Sequence, residues 1–176
     1  MKNYLLVTAL GENQPGFVST LTQAVTEAGC SIVDSRMVAL GSEFAAILMV
    51  HGNWNTLAKL EAQLKRLEQN QGLHLLAQRC EGRRGQRDLL PYAVEVIALD
   101  QPGIVHSLAE FFSSRAILIE ELVCRSYSAP HTGTPMFSVN MVVGIPANLH
   151  IAMLREEFMD FCDHLNLDAV MEPVKG

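Results

Sequence analysis

A four-residue phrase occurs twice in this chain, as Asn13-Gln14-Pro15-Gly16 and as Asp100-Gln101-Pro102-Gly103. Pro102 stands 87 positions after Pro15, and each phrase sits where an apolar run stops and a helical pattern starts. The sequence around the two phrases matches for most of a domain's length, so the chain reads as one unit written twice. Its 176 residues suit one ordinary domain or two small ones. The repeat selects the second, with a first domain over 1–80, a linker over 81–90 and a second domain over 91–176.

Each copy alternates strand and helix signals in the same order. In the first, residues 3–10 form an apolar run that reads as a strand, and Gly11 to Gly16 read as a turn. Val18, Leu21, Ala24, Val25 and Ala28 then recur at helical steps, and Gly29 marks a C-terminal stop. Residues 31–40 and 44–50 read as a hairpin around Gly41-Ser42. Asn53 is placed to cap a second helix with the stripe Leu57, Leu60, Leu64 and Leu67, and residues 73–77 close the copy as a strand. The second copy gives a strand over 92–99, a helix carrying Ile104, Val105, Leu108, Phe111 and Phe112, and strands over 117–126 and 136–143. The hairpin loop between those two strands, 129–135, is longer than Gly41-Ser42. A helix with Ile151, Leu154, Phe158, Phe161 and Leu165 and a strand over 168–173 follow. The order is βαββαβ twice. The expected class is α+β, two ferredoxin-like units, each a four-stranded antiparallel sheet with two helices on one face. The strands at 4–10, 44–50 and 136–143 do not alternate cleanly between apolar and polar residues. A sheet with one wet face should alternate, so the second face is expected to be covered, at least in part, by the other copy or another chain.

The repeated turn is the place to look for function. Proline suits the first turn of a helix, and Asn13 and Asp100 are expected to accept bonds from the free N–H groups there. Gly16 and Gly103 leave room for close approach of a backbone or a ligand. Two readings follow: a capped strand-to-helix turn, or a helix N-terminus that receives a small anion such as an amino-acid carboxylate.

The βαββαβ unit with Asp/Asn-x-Pro-Gly at its first strand-to-helix turn resembles the ACT domain, a module that binds amino acids at the interface of two copies. Two such units and nothing else, with residues 5–11, Gly29 to Arg36, Gly41 to Phe44 and Gly52-Asn53-Trp54-Asn55, are similar to the repressor family of the glycine cleavage genes. That resemblance implies ligand contacts from Asn13, Gly16 and Ile32 in one copy and from Asp100, Gly103 and Ile119 in the other, the turn of 12–16 facing the start of the second strand. It implies a small amino acid as ligand, glycine being the candidate, and a DNA-bound transcriptional activator as partner, with self-association and no cofactor. The copies differ: Asn13 lacks the negative charge that Asp100 offers an ammonium group, and the first turn is expected to carry an extra residue at Gly11-Glu12. Asp34 and Arg36 are either a surface pair of little net worth or a partner contact. A detached regulatory subunit of an amino-acid enzyme is the alternative.

Bulk properties narrow the classes further. The formal net charge of −6 argues against direct attraction to nucleic acid or anionic lipid. No apolar run approaches the roughly 20 residues of a membrane span, and the N-terminus lacks a signal-peptide pattern, which points to the cytoplasm. Cys30, Cys80, Cys124 and Cys162 are widely spaced and read as buried free thiols. No motif places a nucleophile beside a base, and His51, His74 and His106 read as polar residues of a sheet or helix surface, so no enzyme activity and no metal site are expected. Arg79, Arg83, Arg84 and Arg87 form the basic cluster, read as a solvated linker.

Overall fold

The computed structural model describes residues 3–82 and 88–175. It shows two compact units, one on either side of 83–87. The first contains β1 (Tyr4–Glu12), α1 (Phe17–Glu27), β2 (Ser31–Leu40), β3 (Glu43–His51), α2 (Trp54–Gln71) and β4 (His74–Cys80). The second contains β5 (Leu89–Leu99), α3 (Ile104–Ser113), β6 (Leu118–Ser128), β7 (Pro135–Pro146), α4 (Ile151–His164) and β8 (Asp168–Pro173). Both sheets are antiparallel, ordered β2-β3-β1-β4 and β6-β7-β5-β8. The α+β, doubled βαββαβ architecture is therefore present.

Alternation on the central strands decides which sheet face meets the helices. Leu5, Val7 and Ala9 of β1 and Ala46, Leu48 and Val50 of β3 are buried against Leu21, Val25, Leu57, Leu60 and Leu64. In the second unit Val94, Val96 and Ala98 of β5 and Val139, Met141 and Val143 of β7 meet Leu108, Phe111, Phe112 and Phe158. Helix boundaries follow local chemistry. Asn53 caps α2, its side chain accepting from the Thr56 N–H at 2.9 Å. Gly29, at φ 79°, ends α1, with the Cys30 N–H donating back to the Val25 carbonyl at 3.1 Å.

Several expectations need correction. Gly11 and Glu12 belong to β1, paired with Phe44 and Glu43, and Asn13 and Asp100 keep the same spacing as the prolines, so the first turn carries no extra residue. A Cβ on Gly11 would lie 2.5 Å from Leu73 and 3.0 Å from Phe17, so its small size is a packing requirement. Leu89 and Leu90, assigned to the linker, already pair with β7. Arg79, assigned to the basic cluster, is in β4; Arg83, Arg84 and Arg87 lie outside the described residues. In α1 the inward residue at the start is Phe17, and Val18 is exposed. The second face of each sheet is apolar, carrying Leu10, Val38, Ile47 and Leu76 in the first unit and Ile97, Leu99, Val123 and Val170 in the second. The lack of apolar–polar alternation on these strands thus corresponds to an apolar outer face in both sheets.

Candidate functional site

The two Gln-Pro-Gly turns are built alike. Gly16 has φ 95° and ψ −13°, and Gly103 has φ 91° and ψ −2°. These are the values of the third residue of a type II turn, which needs a positive φ, with proline preset for the second position. The Phe17 N–H reaches the Gln14 carbonyl at 3.4 Å. Each glycine is the N-cap of its helix: Gly16 O accepts from Thr20 N–H at 2.8 Å, and Gly103 O from Ser107 N–H at 2.9 Å. Pro15 and Pro102 therefore precede the helix instead of occupying its first turn. No side chain caps either helix, so Asn13 and Asp100 do not have the capping role expected of them. An added Cβ on Gly16 or Gly103 would meet nothing within 4 Å. The glycines are required by the turn's φ, and the space beside them is open.

The turns differ in their polar residue. Both Asn13 and Asp100 are exposed, and both donate their backbone N–H across the sheet end, to Ser42 O at 2.8 Å and Pro135 O at 3.0 Å. Only Asp100 has a side-chain partner there: the Ser126 hydroxyl donates to its Oδ2 at 2.5 Å. At the position 87 residues earlier the chain has Ala39, so the first unit has neither the carboxylate nor the hydroxyl. Sequence reasoning missed Ser126; the Ala39–Ser126 difference at matched positions of the repeat was the signal available.

Ile32 and Ile119 do not join these turns within their units. Ile32 pairs with Val50, which pairs with Leu5, eight residues before Asn13. Ile119 pairs with Val143, opposite Tyr92, eight residues before Asp100. At ~3.3 Å per residue, each isoleucine sits roughly 25 Å along the sheet from its own unit's turn. Both mark a shared irregularity: the register shifts between Ile32 and Asp34 and between Ile119 and Glu121. The displaced residues, Val33 and Glu120, are again 87 apart, so the repeat preserves a bulge that bends each edge strand. Ile32 is exposed, whereas Ile119 is half-buried against the core.

Asp34 and Arg36 form an ion pair at 2.8 Å with both side chains 65% exposed. Such a pair contributes little to stability. A firmer polar cluster was not foreseen. Arg79 of β4 makes two 2.9 Å bonds to Glu61 of α2, and its guanidinium lies 4.8 Å from the centre of the exposed Trp54 ring. The hydrogen bonds from Arg79 hold the Glu61 carboxyl below its ordinary value, and the same bonds raise Arg79. Eighteen residues separate the two, so no local pattern advertises the pair.

Among the described residues no group of three His, Cys, Asp or Glu side chains is placed to hold a metal. Of the four thiols, Cys162 is buried, Cys30 and Cys80 are half-buried, and Cys124 is exposed, contrary to the expectation that all are interior. Burial pushes the Cys162 thiol up to about 12, which makes it inert near neutral pH. His51, His74 and His106 are exposed. No helix among the described residues is long and apolar enough to cross a membrane.

Comparison with known proteins gives consistent matches. A family model described as the ACT domain matches residues 3–78. The glycine cleavage system transcriptional repressors of Escherichia coli K12 and Shigella flexneri are each 30% identical over 167 residues, covering 94% of this chain and 87% of theirs. A crystal structure provisionally identified as a glycine cleavage system transcriptional repressor superposes with a TM-score of 0.73 at 25% identity, over 98% of both chains. A structure of a protein of unknown function from Galdieria sulphuraria gives 0.79 at 22% identity, covering 98% of this chain and 99% of its own, and speaks to the fold alone.

Proposed function

Because the chain belongs to the ACT-domain family that includes the glycine cleavage system transcriptional repressor, we propose that it is an amino-acid-responsive regulator of transcription. The observation that carries this reading is the similarity to the Escherichia coli repressor across 94% of the chain, both units included. In this reading it acts on a DNA-bound activator of the glycine cleavage genes. The net charge of −6 favours a protein partner over direct contact with DNA.

The amino acid, glycine being the candidate, binds at the turn 100–103. Its carboxylate takes the uncapped N-terminus of α3, where backbone N–H groups and the helix dipole favour negative charge. Its ammonium group takes the Asp100 carboxylate, which Ser126 of β6 orients by a hydrogen bond. The strand start that the family places opposite this turn, with Ile32 or Ile119, is roughly 25 Å away within a unit. A second copy of the chain supplies it in this reading. Ligand binding and partner binding are then linked, each changing the other's affinity by one common factor.

Titration calorimetry on the purified chain tests the sensing step, with glycine, alanine and serine as probes. Heat with at least one of them, abolished by Asp100→Ala, is the expected result. Silence with all three at millimolar concentration would refute sensing by the isolated protein. A gel-shift with promoter DNA tests the rest: a shift by this chain alone at physiological salt would exclude action through an activator.

A further inference from the structure

We propose that the outer edge of β8 receives an extended segment of a partner protein as an added strand, with an acidic and an apolar side chain two residues apart over Arg155 and Met159. The argument rests on the two units treating the same edge differently. β4 and β8 are both sheet edges, and they stand opposite matched residues of β1 and β5. Leu75 faces Ala9 as Ala169 faces Val96, Ala77 faces Val7 as Met171 faces Val94, and Arg79 faces Leu5 as Pro173 faces Tyr92.

In the first unit α2 closes this edge. The Leu75 N–H donates to Glu68 Oε1 at 3.0 Å, and Glu61 clamps Arg79. In the second unit both devices are missing. The left-handed residues Gly72 and Asn166 align the two helix ends. Counting back from them, α4 has the buried Cys162 where α2 has Glu68, and Arg155 where α2 has Glu61. Pro173 replaces Arg79. An open groove of about 590 Å3 runs between α4 and β8, lined by Arg155, Met159, Val170, Met171, Pro173 and Val174. Among the described residues Arg155 has no hydrogen-bond or ion-pair partner.

The strand's phase shows what this edge offers. The Val174 N–H donates to Pro91 O at 3.0 Å, towards β5. Backbone groups alternate in direction along a strand, so those of Ala169 and Met171 point away from β5, and Pro173 offers its carbonyl only. Buried Ala169 and Met171 side chains hold this backbone in place. An added strand gains main-chain bonds at Ala169 and Met171 and ends near the proline, which has no N–H to give. Arg155 and Met159 are one helical turn apart, about 6 Å, close to the ~6.8 Å between alternate residues of a strand. This spacing sets the acidic and apolar residues two apart on one face. A second copy of this chain fits less well, because a two-fold contact sets a patch against itself and would bring two unpaired Arg155 side chains to one short groove.

The test uses the full chain and the synthetic peptide acetyl-Thr-Val-Thr-Asp-Thr-Val-Thr-amide, with amide exchange followed by NMR. Saturating peptide should slow exchange at Ala169 and Met171 and leave Leu75 and Ala77 unchanged. Arg155→Glu should weaken binding about fivefold or more, and a peptide with Lys in place of Asp should recover it. No protection at Ala169 and Met171 with millimolar peptide would overturn the proposal. So would protection that appears without peptide as protein concentration rises, which would assign the edge to a second copy.

Discussion

In the first unit the helices meet the sheet through Leu21, Leu57, Leu60 and Leu64, whereas the second fills that layer with rings. Phe111 lies 5.2 Å from Phe158 and 4.9 Å from Phe161, and Phe112 lies 5.3 Å from Phe158. The register, the bulge on the edge strand and the type II turn are nonetheless kept in both. A repeat thus retains what depends on backbone conformation and exchanges what depends only on volume, because cores tolerate hydrophobic substitution at conserved pattern. The polar differences are fewer and have no such freedom. Asp100 with Ser126 stands against Asn13 with Ala39, and the closed edge at Glu61, Glu68 and Arg79 against the open one at Arg155, Cys162 and Pro173. Polar groups do not substitute by volume, so these are the places where the units differ in chemistry and not only in packing.

The hardest blow to the comparison is a core deletion on one side of it. Phe158 is fully buried between Phe111 and Phe112, so Phe158→Ala should cost about 3–5 kcal/mol. Trp54, the chain's single tryptophan, lies in the first unit and reports that unit's unfolding. Denaturant titration should show far-UV circular dichroism shifting while the Trp54 fluorescence transition stays put. A Trp54 transition that moves in step would mean the two units unfold as one.

The turn glycines should behave identically. Gly16→Ala and Gly103→Ala each force a side chain into positive φ, at about 1–2 kcal/mol by thermal melting, and Gly16→Asn and Gly103→Asn should cost less because asparagine tolerates that region. Since an added Cβ meets nothing at either site, unequal costs would show that something occupies one of them. In a Gly103→Val variant, loss of ligand binding would follow from a broken turn as readily as from a filled site.

How much of this was legible beforehand depends on the range of the interaction. The repeat, the βαββαβ order, the leucine stripe of α2 and its Asn53 cap are periodic or local, and the chain states them directly. The sequence locates the turn, and the structure differs from it in placing the prolines before the helix. Pro-Gly serves both a helix start and a type II turn, and only the φ of Gly16 and Gly103 separates the two. Family resemblance groups Ile32 and Ile119 with the turns at an interface of two copies; within one unit the antiparallel register, which no single strand reveals, puts them at the far end. The Glu61–Arg79 clamp was invisible for the same reason. Its partners come from different elements and sit beside an apparent linker, so Arg79 looked solvated.

That clamp sets a smaller asymmetry. Glu61 and Arg79 side chains are 32% and 18% exposed, so Glu61→Gln should destabilise the first unit by about 1 kcal/mol after solvent screening. The Glu61 carboxyl is held below its ordinary value chiefly by its hydrogen bond to Arg79. Its contribution is therefore fully present above the usual carboxylate range and is lost as pH falls through the lowered folded value. The Trp54 acid transition of the wild type should flatten in Glu61→Gln below pH ~4.5, where the unfolded carboxyl takes up its proton and the folded one does not. Glu61 belongs to the first unit, so the acid transition of the second, whose Arg115–Glu157 pair is untouched, should not respond to the substitution.

The smallest change in stability bears most directly on function. Asp100 is exposed, so Asp100→Asn should alter the fold by less than about 0.5 kcal/mol. If charge at this turn separates a binding half-site from a structural one, calorimetric glycine binding should be lost in Asp100→Asn with the melting curve nearly unmoved. The converse exchange is the sharper measurement. Asn13→Asp together with Ala39→Ser rebuilds in the first unit the carboxylate and hydroxyl that Asp100 and Ser126 bring together in the second. The backbone is already matched, since Gly16 and Gly103 share one conformation and both helices lack a side-chain cap. The double variant should therefore raise the binding stoichiometry. A second site appearing would assign the difference between the units to these two side chains. An unchanged stoichiometry would place the discrimination beyond the turn, in the residues that a second sheet brings to it.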